Sequence, residues 1–313
     1  MKAYSILLFI TAVLSVSVAN AQLNIVAAGD GIVEYSRENA IPYDSLAPFH
    51  QSYENYPKLP GQTLFFQGMK NDVNGYPDAF FSANPLRGDA PVYHRMESGV
   101  GNTAPDAVVG KYFDVIKVFC QRNSRYCLLL REKKSGDEIY CVPGMLTANN
   151  FVCIGNYEKM KQIHVGKTFY SLGKRTGLVG GGTMQTEEGT AYRAVDMAVE
   201  LHDNGAYLIL EDSKGQRLKG IPYGHIVAGF VAKERLDSLV SRYGKENGKK
   251  IAFQHVTEGM TKAMLIEAFG NPIKKEQTTF NGKPAEIWRY PEGYNIGVQK
   301  DKVISVRKNS YYW

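Results

Sequence analysis

The chain has 313 residues, with 37 basic and 31 acidic side chains, a formal net charge of +6 and 44% hydrophobic residues. That composition is globular and excludes a disordered or collagen-like chain. Its only dense basic run is KENGKK, residues 245–250, interrupted by Glu246, so the clustered stripe of a nucleic-acid binder is missing.

The first element is a targeting segment. In MKAYSILLFITAVLSVSVANAQ, Lys2 supplies a positive start, residues 6–18 are apolar, and Ala19-Asn20-Ala21 is a small-x-small cleavage site. Residues 1–21 therefore read as a secretory signal peptide, with a retained anchor as the competing reading. No Cys stands at the cleavage site to carry a lipid, and no later stretch is long and apolar enough to span a bilayer. The expected protein is exported: periplasmic, outer-membrane-associated or extracellular, with no transmembrane segment after cleavage.

Residues 22–105 are irregular and broken by Pro42, Pro48, Pro57, Pro60, Pro77, Pro85, Pro91 and Pro105. They predict long loops draped on a sheet, with short strand-like pieces such as QTLFF at residues 62–66. From residue 106 to 230 the pattern sharpens and repeats. VGKYFDVI (109–116) matches VGKTFYSL (165–172), and CLLLREKKSGDEIYCVPG (127–144) matches YLILEDSKGQRLKGIPYG (207–224) with one gap. PGQTLFF (60–66) reads as the start of a degenerate third copy. Apolar runs joined by SGD or SKG are hairpin signals, so two or three small β units are predicted. By pattern alone they resemble SH3-like barrels.

The four cysteines, Cys120, Cys127, Cys141 and Cys153, lie within one 34-residue stretch. An even count in an exported chain predicts two disulfides, and three connectivities are open. The flanked turns favour Cys120 with Cys127 and Cys141 with Cys153. No CxxC spacing supports zinc. The insertion GLVGGGTMQTEEG lacks the Gly-Lys-Ser/Thr of a phosphate loop and reads as a hairpin tip.

Residues 231–250 predict a linking helix, with Leu236, Leu239, Val240 and Tyr243 on one face and Gly244 and Gly248 at its end. Residues 251–313 form a terminal unit. Thr261 suits an N-cap, Gly270 a left-handed stop, and Pro272 blocks resumption. Four strand-like runs follow, the first two joined by the hairpin signal Asn281-Gly282. The order Gly259-Met260-Thr261, helix, Gly270-x-Pro272, then Trp288-x-Tyr290 is similar to the SmpA/OmlA (BamE) family of small outer-membrane lipoproteins that help assemble β-barrel proteins. The resemblance implies a helix laid on a short antiparallel sheet, and hence an α+β chain: a β-rich repeat region followed by a BamE-like α/β module.

No HExxH, no G-x-S-x-G and no metal spacing appears among the six histidines. No cofactor, metal or catalytic residue is expected. The aromatic end, Tyr311, Tyr312 and Trp313, packs on the sheet or contacts a partner. The expected function is a non-enzymatic binding or accessory module of the cell envelope, engaging an envelope protein or a surface component, with envelope or outer-membrane protein assembly as the role the resemblance implies. The alternative is a glycan-binding protein or hydrolase whose site lies in the aromatic loops of 22–105 or in the Gly-rich insertion.

Overall fold

The computed structural model describes residues 26–28, 31–39, 42–46, 53–68, 80–97, 101–121, 125–143, 150–203 and 205–309. The signal segment and the terminal Tyr311, Tyr312 and Trp313 lie outside them. The first sheet contains β1 (Val26–Ala28), β2 (Ile32–Ser36), β3 (Thr63–Phe66), β4 (Phe80–Phe81), β5 (Lys111–Gln121), β6 (Tyr126–Glu132), β7 (Glu138–Cys141) and β8 (Phe151–Cys153). Strand β5 is long enough to hold two partners on one edge. Its first half pairs with β3 and its second half with β2, while β6 runs along the other edge. The path β8-β3-β5-β6-β7-β4 curls until its two ends share one core. There the rings of Phe66 and Phe80 stand 5.2 Å apart, Phe66 and Phe151 4.6 Å, and Phe80 and Phe151 6.4 Å. Helix α1 (Ile154–His164) follows.

The second sheet has the order β14-β13-β12-β9-β17-β16-β15. Its strands are β9 (Thr168–Ser171), β12 (Ala191–Val199), β13 (Ala206–Glu211), β14 (Arg217–Gly220), β15 (Pro222–Tyr223), β16 (Ile226–Val227) and β17 (Phe230–Ala232). A separate hairpin, β10 (Arg175–Gly177) with β11 (Thr183–Gln185), carries the Gly-rich tip. Helix α2 (Lys233–Ala252) leaves β17 as α1 leaves β8.

Strand pairing relates the two sheets residue by residue. The hairpin pairs Leu130↔Ile139 and Arg131↔Glu138 correspond to Leu210↔Leu218 and Glu211↔Arg217. Both long strands bulge at one place, between Val115 and Lys117 and between Ala194 and Asp196. Gly61 N–H donates to Val115 O at 2.8 Å, and Gly166 N–H to Ala194 O at 2.8 Å. Strand β3 pairs with β5 and β8, and β9 with β12 and β17. The counterpart of VGKTFYSL is thus PGQTLFF. The stretch VGKYFDVI instead enters β5, whose counterpart is β12. There are two corresponding units, and the first draws strands from both sides of residue 105.

The last sheet is a meander of β18 (Lys274–Phe280), β19 (Lys283–Arg289), β20 (Tyr294–Gln299) and β21 (Lys302–Lys308). Asn281 and Gly282 both take positive φ, 51° and 70°, as a primed two-residue turn requires. One face packs against α2 and against α3 (Lys262–Phe269), burying Leu236, Leu239, Leu265, Ala268, Trp288, Tyr290, Ile296 and Val303 together.

The α+β expectation is corrected. The described residues hold twenty-one strands against three α-helices, so the chain is mainly β. The small-barrel expectation gives way with it. The strands gather into antiparallel sheets of eight and seven, because extra strands (β1 and β2 in one, β15 and β16 in the other) extend each unit. The BamE-like α/β module is likewise replaced by a four-stranded meander in a mainly β chain. The linking helix also differs from expectation, since Gly244 and Gly248 do not end it and it runs on to Ala252. Gly244 has φ 79° and ψ 164°, which folds α2 back on itself.

Candidate functional site

The terminal motif residues are structural. Thr261 Oγ1 accepts from Met264 N–H at 3.2 Å, capping α3, and Gly270 ends it at φ 77°, donating its N–H to Ile266 O at 2.8 Å. Gly259 and Met260 do more than lead in. Gly259 N–H donates to Val303 O at 2.9 Å, and Val303 N–H donates to Met260 O at 2.8 Å. They cover the edge of β21, which would otherwise expose a ladder to other chains. Pro272 lies in the turn after α3. Trp288 is buried, donates Nε1–H to Glu286 Oε2 at 2.8 Å, and carries Lys275 Nζ 4.3 Å above its ring.

Beside this sheet opens a cleft of about 340 Å³, within the range of small-ligand sites. Its walls come from four places in the chain. The second unit contributes Leu172, Lys174 and Glu188, from the two ends of the Gly-rich insertion. The end of α2 contributes Phe253, Gln254 and His255. Phe269 closes α3, and Tyr290, Pro291, Glu292 and Tyr294 come from the β19–β20 connection. The floor is aromatic: the Phe269 ring lies 5.3 Å from Tyr290 and 5.0 Å from Tyr294. The rim is charged in balanced pairs. His255 Nε2 meets Glu188 Oε2 at 2.8 Å, and Glu292 stands 3.6 Å from both Lys174 and Lys308.

Two rim residues, Gln254 (φ 60°) and Glu292 (φ 59°), hold left-handed backbone conformations without being glycine. Such conformations cost of order 1–3 kcal/mol and collect at functional sites. Beneath the rim the Tyr290 hydroxyl is buried with no hydrogen-bond partner, and burial pushes its ionisation up to about 12. A buried orphan hydroxyl costs about 1–3 kcal/mol. Tyr290→Phe is therefore expected to leave stability unchanged or raise it by up to ~1 kcal/mol, read as the shift in a urea midpoint.

A second cluster closes the β12–β14 end of the same unit. Lys219 Nζ lies 2.5 Å from Glu200 and 2.6 Å from Asp203, and Tyr207 donates to Glu200 at 2.6 Å. The Lys219 bond, then Tyr207, hold the Glu200 carboxyl below its ordinary 4.5. Its contribution is full above that range and is lost as pH falls through the lowered folded value. Glu200→Gln should lower stability at pH 7 and flatten the acid limb, so that variant and parent converge as pH falls, as measured by denaturation between pH 7 and pH 3. With its three charges and one hydroxyl joined to one another, the cluster reads as a clamp.

The remaining candidates disperse. The four cysteines are free thiols, with Cys120 half-buried and the others buried. Register sets the members of the first expected pair apart. Cys120 faces Tyr126 across the hairpin and Cys127 faces Phe119, so the two point to opposite sides of the sheet. Cys127 packs with Ile32 and Phe119, and burial raises its thiol to about 12. Cys141 and Cys153 lie in the large core beside Phe66 and Phe80 but keep separate strand partners.

Among the described histidines, His164 is buried against Gly224 O at 2.7 Å, while His255 joins the cleft with a carboxylate partner. Among the described residues no group of three or more His, Cys, Asp and Glu is arranged to hold a metal. Of Tyr53, Tyr56, Phe65, Phe66, Tyr76, Phe80 and Phe81, which suggested an aromatic platform in the 22–105 loops, Tyr56, Phe66 and Phe80 are buried in the first core, Phe65 and Phe81 are half-buried, and Tyr76 lies outside the described residues. The cleft's members sit far apart in sequence, so spacing could not reveal them; the nearest signal was the PEGY turn beside Tyr290. Compared with family models, with curated proteins and with solved structures, the chain matches none.

Proposed function

We propose that the chain is an exported, non-enzymatic binding module of the cell envelope, and that the cleft between the second β unit and the terminal sheet is where it binds. The observation that carries this reading is the cleft itself: an aromatic floor and left-handed rim residues assembled from four separate parts of the chain. Strain and convergence of this kind are features of binding sites. The signal-like start of the chain supports export, and the balanced ion pairs support recognition over proton transfer, since the one imidazole of the rim is already held by Glu188. No helix of the described residues is long and apolar enough to cross a membrane.

A photo-crosslinking side chain placed at Gln254, in the full chain exposed to envelope extract, tests the reading. Adducts characterised by mass spectrometry are expected from position 254 and not from Glu246, on the outer surface of α2. Equal labelling at both positions, or none at 254, would refute it.

A further inference from the structure

We infer that the cleft takes an uncharged, hydroxyl-rich ligand, namely the ring of a neutral sugar within a glycan. The inference rests on the cleft being the binding site, and it concerns only the class of ligand.

Charge is the first argument. Glu188 is paired with His255, and Glu292 is shared between Lys174 and Lys308. Each of these carboxylates already has a partner, and at groups this exposed a further ion pair adds only about 0–1 kcal/mol, so charge is a weak source of affinity here. A neutral ligand can accept from and donate to the same groups without disturbing their balance.

The backbone supplies the second argument. An extended peptide binds by adding to an open strand edge, through unspent main-chain groups. Here the lining amides are already used. Leu172 N–H donates to Gly229 O at 2.9 Å, Phe253 to Lys249 O at 2.9 Å, Gln254 to Ile251 O at 3.1 Å, His255 to Lys250 O at 2.7 Å, and Tyr290 to Tyr294 O at 2.9 Å. What faces the cleft is side-chain chemistry: carboxylate, imidazole, carboxamide and ammonium. This mixture of acceptors and donors matches hydroxyl groups, each of which does both.

The third argument is shape. Phe253 and Phe269 are half-buried at the cleft, and Tyr294, with Lys308 Nζ 4.7 Å above its ring, adds a cation-backed aromatic edge. Such faces accept the apolar C–H side of a sugar ring while its hydroxyls turn to the rim.

The test uses the full mature chain with chitotriose and cellotriose as neutral probes, followed by saturation-transfer NMR and calorimetry. Transfer from aromatic protons to sugar C–H groups is expected. The double variant E188Q/H255Q and the single variant Tyr294→Ala should each weaken binding by about tenfold or more, roughly the loss of one good contact. Glu246→Gln should leave it unchanged. Thermal unfolding of each variant separates lost binding from lost fold, and the two variants touch different elements.

Absence of transfer from both sugars at millimolar concentration would overturn the proposal, as would affinities untouched by both cleft variants. If position 254 crosslinks only to peptides while neither sugar binds, the ligand class falls and the cleft stands. If position 254 yields no adduct at all, the underlying reading falls too.

Discussion

Replacing Gly248 by alanine is expected to destabilise the protein by about 3 kcal/mol, the upper part of the usual range for overpacking. The sign is opposite to the ordinary one, because alanine in a helix interior normally gains up to about 1 kcal/mol over glycine. Helix α2 folds back at Gly244, and its second half crosses the first with no side chain between them. A Cβ on Gly248 would lie 2.5 Å from Val240 Cα and 2.6 Å from the Leu239 carbonyl carbon. These are backbone atoms, so no rotamer relieves the clash. The two helical halves must separate, and with them Leu239 and Ile251, which anchor the terminal sheet. Chemical denaturation should show a lower midpoint. A Gly248→Ala protein as stable as the parent would mean that α2 is not folded back in solution.

Phe66→Ala should cost about 3–5 kcal/mol, the usual range for a fully buried aromatic. Phe66 is wholly inaccessible and its ring touches both Phe80 and Phe151, which stand at opposite ends of the curled path. Its loss empties the point where the sheet closes on itself, and neither remaining ring can collapse inward without pulling β4 or β8 from its partner. The comparison is Phe65→Ala, one residue earlier and on the other face. Phe65 is only half-buried against Tyr112, so its truncation should cost clearly less. Equal losses from the two would show that the sheet does not curl as described.

Local punctuation was well written in the sequence. Thr261, Gly270 and the Asn281-Gly282 turn each act through their own backbone neighbourhood, and each stands where its chemistry placed it. The correspondence between CLLLREKK and YLILEDSK was also legible, because alternating burial in a hairpin imposes it. The other correspondence misled. VGKYFDVI and VGKTFYSL look alike, yet they occupy different strands, since a short Gly-led strand start is generic. The class of the chain was misjudged because short edge strands of two or three residues, such as β4, β15 and β16, carry no periodicity, and a helical signal near the end outweighed them. The cleft was illegible for another reason: its pieces meet only through folding, and its two left-handed rim residues are ordinary-looking Gln254 and Glu292.

The paired units also carry an inversion of sign. Arg131 on β6 meets Glu138 on β7 at 2.7 Å, whereas in the other unit Glu211 on β13 meets Arg217 on β14 at 2.6 Å. Two look-alike hairpins on one chain invite an exchange of strands while the chain is still folding. Here an exchange would set Arg131 against Arg217 and Glu138 against Glu211. Like charges directly opposite repel, so each hairpin carries an address that the other cannot satisfy.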